Sequence, residues 1–204
     1  MEQSIFKPGK NYTFSDYFEL NYPTREIVQA FDYHYRFEEL ILPKSPAVDL
    51  LEKLRQTYTQ KLPLISLNSE AAKREFYIAP LLLELLDHIR AEINVEYPLD
   101  AGENLSGAVD YLVRYHHEMV IIEAKKGDLE KGFNQLAVEL IALDKTSQND
   151  APVLYGAITL GDIWRFGVLK RADKSVSKDM NAYVLPADLE QLFAILLGIL
   201  NSNE

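Results

Sequence analysis

The chain has 204 residues, enough for one sizeable core with an extension but too few for two enzymatic domains. Its composition, 48% hydrophobic and 25% charged, is that of a folding globular chain and not of a disordered one. The absence of Cys excludes disulfides, thiolate metal sites and Cys nucleophiles, and a net charge of −10 opposes tight non-specific binding to a polyanion.

The acid excess is uneven. Residues 1–66 hold 9 acids and 8 bases, and the remainder holds 22 and 13. The segment Met1–Pro8 has no long apolar region, and no apolar run approaches the roughly 20 residues that a membrane span needs. The expectation is a soluble, cytoplasmic protein with no membrane partner.

In chain order, a loose terminus precedes an aromatic-rich stretch. It contains a predicted helix over Thr24–Phe31 and a predicted strand over Tyr33–Leu42, where Tyr33, Tyr35 and Phe37 alternate with His34 and Arg36. These aromatic rings offer stacking surfaces for bases, but their strand and helix spacing fits core packing better. A helix is expected from Ser45 or Pro46 to Lys61, closed by Leu62-Pro63. Ser69 caps a second helix running to about Ile93. In it Ala71, Ile78, Leu82, Leu85 and Ile89 fall within about 40° of one line, with Pro80 as a possible kink.

Three short apolar runs follow, Val95–Leu99, Ala108–Tyr115 and Met119–Ala124, with Tyr115-His116-His117-Glu118 as a hairpin tip between the last two. The period then returns to helical over Leu129–Leu143. Strands Val153–Thr159 and Trp164–Leu169 are joined by a turn at Gly161-Asp162, with Arg165 pointing outward between two packed aromatics. A strand at Ala182–Leu185 and an amphipathic helix over Pro186–Leu200 complete the chain. Residues 1–66 thus read as an N-terminal extension and 67–204 as an α/β core with a C-terminal helix.

Charged side chains mark the ends of the apolar strands. Asp110 lies within Ala108–Val113. Glu123 and Lys125 end the run Val120-Ile121-Ile122-Glu123-Ala124-Lys125, and alternation puts these two on one face. Ionised groups beside a buried strand are costly unless they pair or bind a metal. Two carboxylates are hard oxygen ligands suited to Mg²⁺ or Mn²⁺, and a neighbouring Lys can orient an attacking water. As a bland alternative, Glu123 and Lys125 are an exposed ion pair of about 0–1 kcal/mol.

The pattern Val109-Asp110…Glu123-Ala124-Lys125 resembles the PD-(D/E)xK nuclease superfamily, with Val109 in place of the Pro. Within that superfamily it is most similar to the N-terminal nuclease domain of type I restriction enzyme R subunits. The likeness spans about Asn68 to Thr159 and includes the helix Glu70-Ala-Ala-Lys-Arg74-Glu75-Phe-Tyr-Ile78-Ala-Pro80-Leu81-Leu82 and the Gln-bearing helix Phe133-Asn134-Gln135-Leu136.

This resemblance implies a restriction-endonuclease-like core, αβββαβ, with a central mixed sheet flanked by helices. It also implies Mg²⁺ (or Mn²⁺) at Asp110 and Glu123, and Lys125 on the water. A helix Glu and Gln135 would support the site, although Gln135 also fits a surface amide. Of the two helix candidates, Glu75 lies about 40° from the apolar line and Glu70 about 100° from it, so Glu75 is expected to point inward. Arg74 is then either the neutralising neighbour of Glu75 or a solvated cation.

The implied substrate is nucleic acid, DNA before RNA. A homodimer or a partner protein would supply the basic surface that the chain lacks apart from Lys125, Lys126 and Lys131. The competing reading is a nuclease fold kept as a catalytically silent binding or regulatory module. Adjacent His116 and His117 at a hairpin tip point apart and make a poor metal site.

Overall fold

A computed structural model describes residues 5–46, 51–115, 118–124, 127–147 and 150–201, with 118–124 described as backbone. Among them the chain forms a mixed α/β structure, a mixed sheet of eight strands flanked by helices. The N-terminal part supplies α1 (Phe14–Glu19), α2 (Thr24–Gln29), β1 (His34–Glu38) and α3 (Glu52–Gln56). A π-helical turn at Thr57–Lys61 and a 3₁₀ turn at Leu62–Leu64 close this part. Next come α4 (Glu70–Lys73), a π-helical turn (Arg74–Ile78) and α5 (Ala79–His88). The strands β2 (Glu92–Asp100), β3 (Ser106–Tyr115) and β4 (Glu118–Ala124) precede α6 (Leu129–Thr146). Then follow β5 (Val153–Thr159), β6 (Ile163–Lys170), β7 (Ser175–Asp179), β8 (Tyr183–Val184) and α7 (Leu189–Asn201).

The strand order is β1-β7-β6-β5-β4-β3-β2, with β8 pairing β6. Strands β2, β3 and β4 form an antiparallel meander. The chain then crosses over through α6 and returns as β5, parallel to β4. A parallel pair requires such a crossover, and α6 is long enough to provide it. Asp128 starts the helix by accepting the backbone N–H groups of Glu130 and Lys131 at 3.0 and 3.1 Å.

Strand alternation divides the interior into two layers. On one face Trp164, Phe166 and Val168 of β6 pack with Leu81, Leu82 and Leu85 of α5 and with the apolar side of α7. On the other, Leu169, Leu154 and Ile158 pack under Phe133, Leu136 and Leu140 of α6. Each of these fully buried side chains contributes about 1.5–3 kcal/mol.

The aromatic N-terminal stretch is core. Tyr12, Phe14, Tyr17, Phe31 and Tyr33 are buried in the α6 layer, and β1 pairs in parallel with β7. The Tyr33 hydroxyl donates to Asp144 at 2.6 Å, a partly buried bond that ties residues 1–66 to α6. Among the described residues no helix is long and apolar enough to cross a membrane.

The structure corrects several expected elements. The second helix stops at His88 rather than Ile93, because Ile89 turns to extended backbone and Ile93 enters β2 facing Val113. Pro80, with no N–H to donate, sits at the start of α5 directly after the π turn, which absorbs the missing bond. Strand β7 was not expected.

Candidate active site

The site is built on three adjacent strands. Across β3 and β4 the register pairs Val113 with Val120 and Tyr111 with Ile122, and Asp110 and Glu123 are the residues immediately beyond this last pair. Glu123 in turn pairs with Ile158 of β5. The two carboxylate positions, 13 residues apart in sequence, are brought near one another because the β3–β4 pair closes at Tyr115 and Glu118. Asp110 is half-buried.

Continuing the β2–β3 register between Val95–Tyr111 and Tyr97–Val109 sets Glu96 across from Asp110 on its other side. Glu96 has φ +52°, a left-handed conformation that costs a non-glycine residue of order 1 kcal/mol. The strand is locally irregular there. Val109 packs in the α6 layer, whereas Tyr111, two residues on, packs in the α5 layer.

Arg74, at the start of the π turn, reaches this point of the sheet. Its guanidinium carbon lies 5.2 Å from the centre of the Tyr111 ring, Nε is 3.5 Å from the Tyr111 hydroxyl and Nη1 is 3.5 Å from Glu96. Burial works against its charge, but the Tyr111 hydroxyl, Asp110 and Glu96 outweigh it and hold the guanidinium pKa above its usual value. The expectation that tied Arg74 to Glu75 is therefore replaced by a cation beside Asp110.

The helix carboxylates reverse the expected orientation. Glu75 is exposed and Glu70 is half-buried, and Ala71, expected on the apolar line, is exposed as well. The cause is the π turn, which winds an extra residue into Arg74–Ile78 and rotates everything before it relative to α5. A projection at the α-helical 100° per residue does not carry across it.

Gln135 is buried at 3% exposure. Its Nε2 donates to Glu139 Oε1 at 2.9 Å within α6, and its own Oε1 has no hydrogen-bond partner among the described residues. It is an interior amide, not a surface one, and its recorded partner is Glu139. Lys125, Lys126, His116 and His117 lie outside the described residues, and of Glu123 only the backbone position is described.

Among the described residues no group of three or more His, Asp or Glu side chains gathers closely enough to hold a metal ion. The donor set at the Asp110 level is nonetheless all hard oxygen, the chemistry that Mg²⁺ and Mn²⁺ take. Sequence reasoning did not single out Glu96. The signal was its place opposite Asp110, which needs the strand register. No protein-family model, curated protein or solved structure matches this chain.

Proposed function

We propose that the protein is a metal-dependent nuclease that hydrolyses phosphodiester bonds of DNA on a restriction-endonuclease-like core. One observation carries the reading: the strand register pairs Tyr111 with Ile122, the chain neighbours of Asp110 and Glu123. Carboxylates directly opposite in adjacent strands repel, and a divalent cation between them turns that cost into binding. The order α5, β2, β3, β4, α6, β5, with β4 parallel to β5, is the αβββαβ order that the resemblance implies.

In this reading Asp110 and Glu123 hold Mg²⁺ or Mn²⁺, which when bound supplies Lewis acidity and a more acidic water. Lys125, two residues past Glu123 in sequence, orients that water and offsets charge on the phosphate. Arg74 offsets the negative charge beside Asp110 in the metal-free protein.

A second reading, a catalytically silent binding module, is favoured by the same Arg74. A guanidinium held beside Asp110 does the neutralising work of a metal, and the net charge of −10 repels a polyanion. Calorimetric titration of Mn²⁺ into wild type and Asp110→Ala separates the two. Binding to wild type that is lost in the variant supports the nuclease reading. Binding to neither, or to both equally, refutes the metal site.

A further inference from the structure

Away from Asp110, a cleft of about 600 Å³ opens between α2 and the first turns of α6, lined among others by Tyr22, Arg25, Tyr35, Glu130 and Lys131. Behind its Glu130 wall stand two more cations. Lys178 of β7 is 1% exposed, and its ammonium meets Glu130 Oε1 at 2.5 Å. Arg165 of β6 reaches the same oxygen at 3.4 Å. The Arg165 Nε is buried and has no hydrogen-bond partner among the described residues.

Donors exceed acceptors here. An ammonium carries three N–H donors and a guanidinium five, yet both share one oxygen of a carboxylate that is 72% exposed. Tyr35, half-buried at the cleft wall, is influenced by the charges of Glu130, Arg165 and Arg25. Arg25, Lys131, Arg165 and Lys178 stand against Glu26 and Glu130, a local excess of positive charge in a chain of net −10. Burying a lysine costs several kcal/mol unless it is well paired, and beyond the Phe37 and Phe133 ring faces at 5.6 and 5.3 Å, which accept no N–H as strongly as an oxygen, Lys178 has one solvent-swept carboxylate.

We propose that this cleft binds a phosphate group, which displaces the Glu130 carboxylate and takes Lys178 and Arg165 as its ligands. Phosphate suits the donors. It offers several acceptor oxygens, so the Arg165 fork and the Lys178 ammonium can be satisfied together, which a single Glu130 oxygen does not achieve. The cleft lies within the range of about 300–1,000 Å³ usual for small-ligand sites. It leaves room for the remainder of a nucleotide beside Tyr22 and Tyr35. The site shares no residue with Asp110, Glu123 or Lys125, so it stands or falls apart from the nuclease reading.

The test is calorimetry at fixed ionic strength with inorganic phosphate, adenosine monophosphate and a short single-stranded oligonucleotide. The proteins are wild type, Glu130→Gln, Lys178→Met and Arg165→Gln. Removing the competing carboxylate in Glu130→Gln should tighten phosphate by about tenfold, a gain that a purely structural Glu130 would not produce. Lys178→Met and Arg165→Gln should each weaken it by about tenfold or more, the loss of a charge-assisted hydrogen bond. If Lys178→Met fails to fold, the partly exposed Arg165 position carries the comparison. Tighter binding of the monophosphate than of phosphate identifies a nucleotide ligand, and tightest binding of the oligonucleotide identifies a strand. Equal affinity in all four proteins, or no binding of any ligand to Glu130→Gln, overturns the proposal.

Discussion

Tyr111 of β3 pairs with Ile122 of β4, and the next residue beyond each is a carboxylate, Asp110 and Glu123. In the proposed site the two carboxylates would repel without metal, at a cost of about 0.2–1 kcal/mol for a cross-strand pair. Glu123→Gln should therefore melt at the same or a slightly higher temperature than wild type in chelator. Mn²⁺ should raise the melting temperature of wild type and leave that of the variant unmoved. An equal Mn²⁺ shift in both proteins would remove Glu123 from the site.

The orientation of the helix carboxylates makes Glu70, half-buried before the π turn, the better supporting residue, and Glu75, exposed, the poorer one. Glu70→Gln should reduce metal-dependent cleavage by about tenfold or more, whereas Glu75→Gln should change it less than about twofold. The reverse order would mean that the turn rewinds when substrate binds.

Gly198 in α7 faces the backbone of Pro43 and Lys44, where a Cβ would come within 2.6 Å of main-chain atoms. The neighbouring Ser45 N–H donates to the Ala194 carbonyl at 2.9 Å. In an open helix Gly to Ala gains up to about 1 kcal/mol. Here the backbone cannot yield, and Gly198→Ala should lose about 2 kcal/mol. Urea unfolding decides it, and a raised midpoint would show that residues 43–45 do not seat on α7.

Asp16 accepts from the Lys10 ammonium and from the Thr13 N–H, each at 2.8 Å. These bonds, the Lys10 bond first, hold its carboxyl below the ordinary 3.8. A carboxyl lowered in the folded state stabilises fully above its unfolded value and loses that contribution as pH falls through the folded one. Wild type should exceed Asp16→Asn by about 0.5–1 kcal/mol near pH 6, as for other capping groups, with the gap closing as pH falls below the ordinary 3.8 and through the lowered folded value. A gap independent of pH would mean that the ionised carboxylate does not anchor α1.

Much of the core was legible because its signals are local. Strand β5 runs Val153–Thr159 as its apolar run predicts. The antiparallel pair of β3 and β4 follows from two apolar runs and a short tip. Strand β7 was illegible for the opposite reason. Apart from Val176 its residues Ser175–Asp179 are polar yet all buried, and two of them find partners far away in sequence. The Ser177 hydroxyl donates to Glu38 at 2.6 Å, and Lys178 meets Glu130. Hydrophobic periodicity cannot find a strand whose burial rests on such partners. The π turn was equally hidden, since nothing in Arg74–Ile78 marks an extra residue, and with it went the direction of Glu75.

Cleavage by purified protein is the most direct test of the central claim. Wild type and Lys125→Ala, prepared alike, would be incubated with Mn²⁺ and a panel of linear, single-stranded and branched DNA, with RNA beside it. The account predicts Mn²⁺-dependent cleavage of DNA by wild type and a rate about 10²–10⁴-fold lower for Lys125→Ala, the range for loss of a proton-transfer or water-orienting group. Mn²⁺ binding should be retained in the variant. Equal cleavage by both proteins, or no cleavage of any substrate by wild type, would contradict the account.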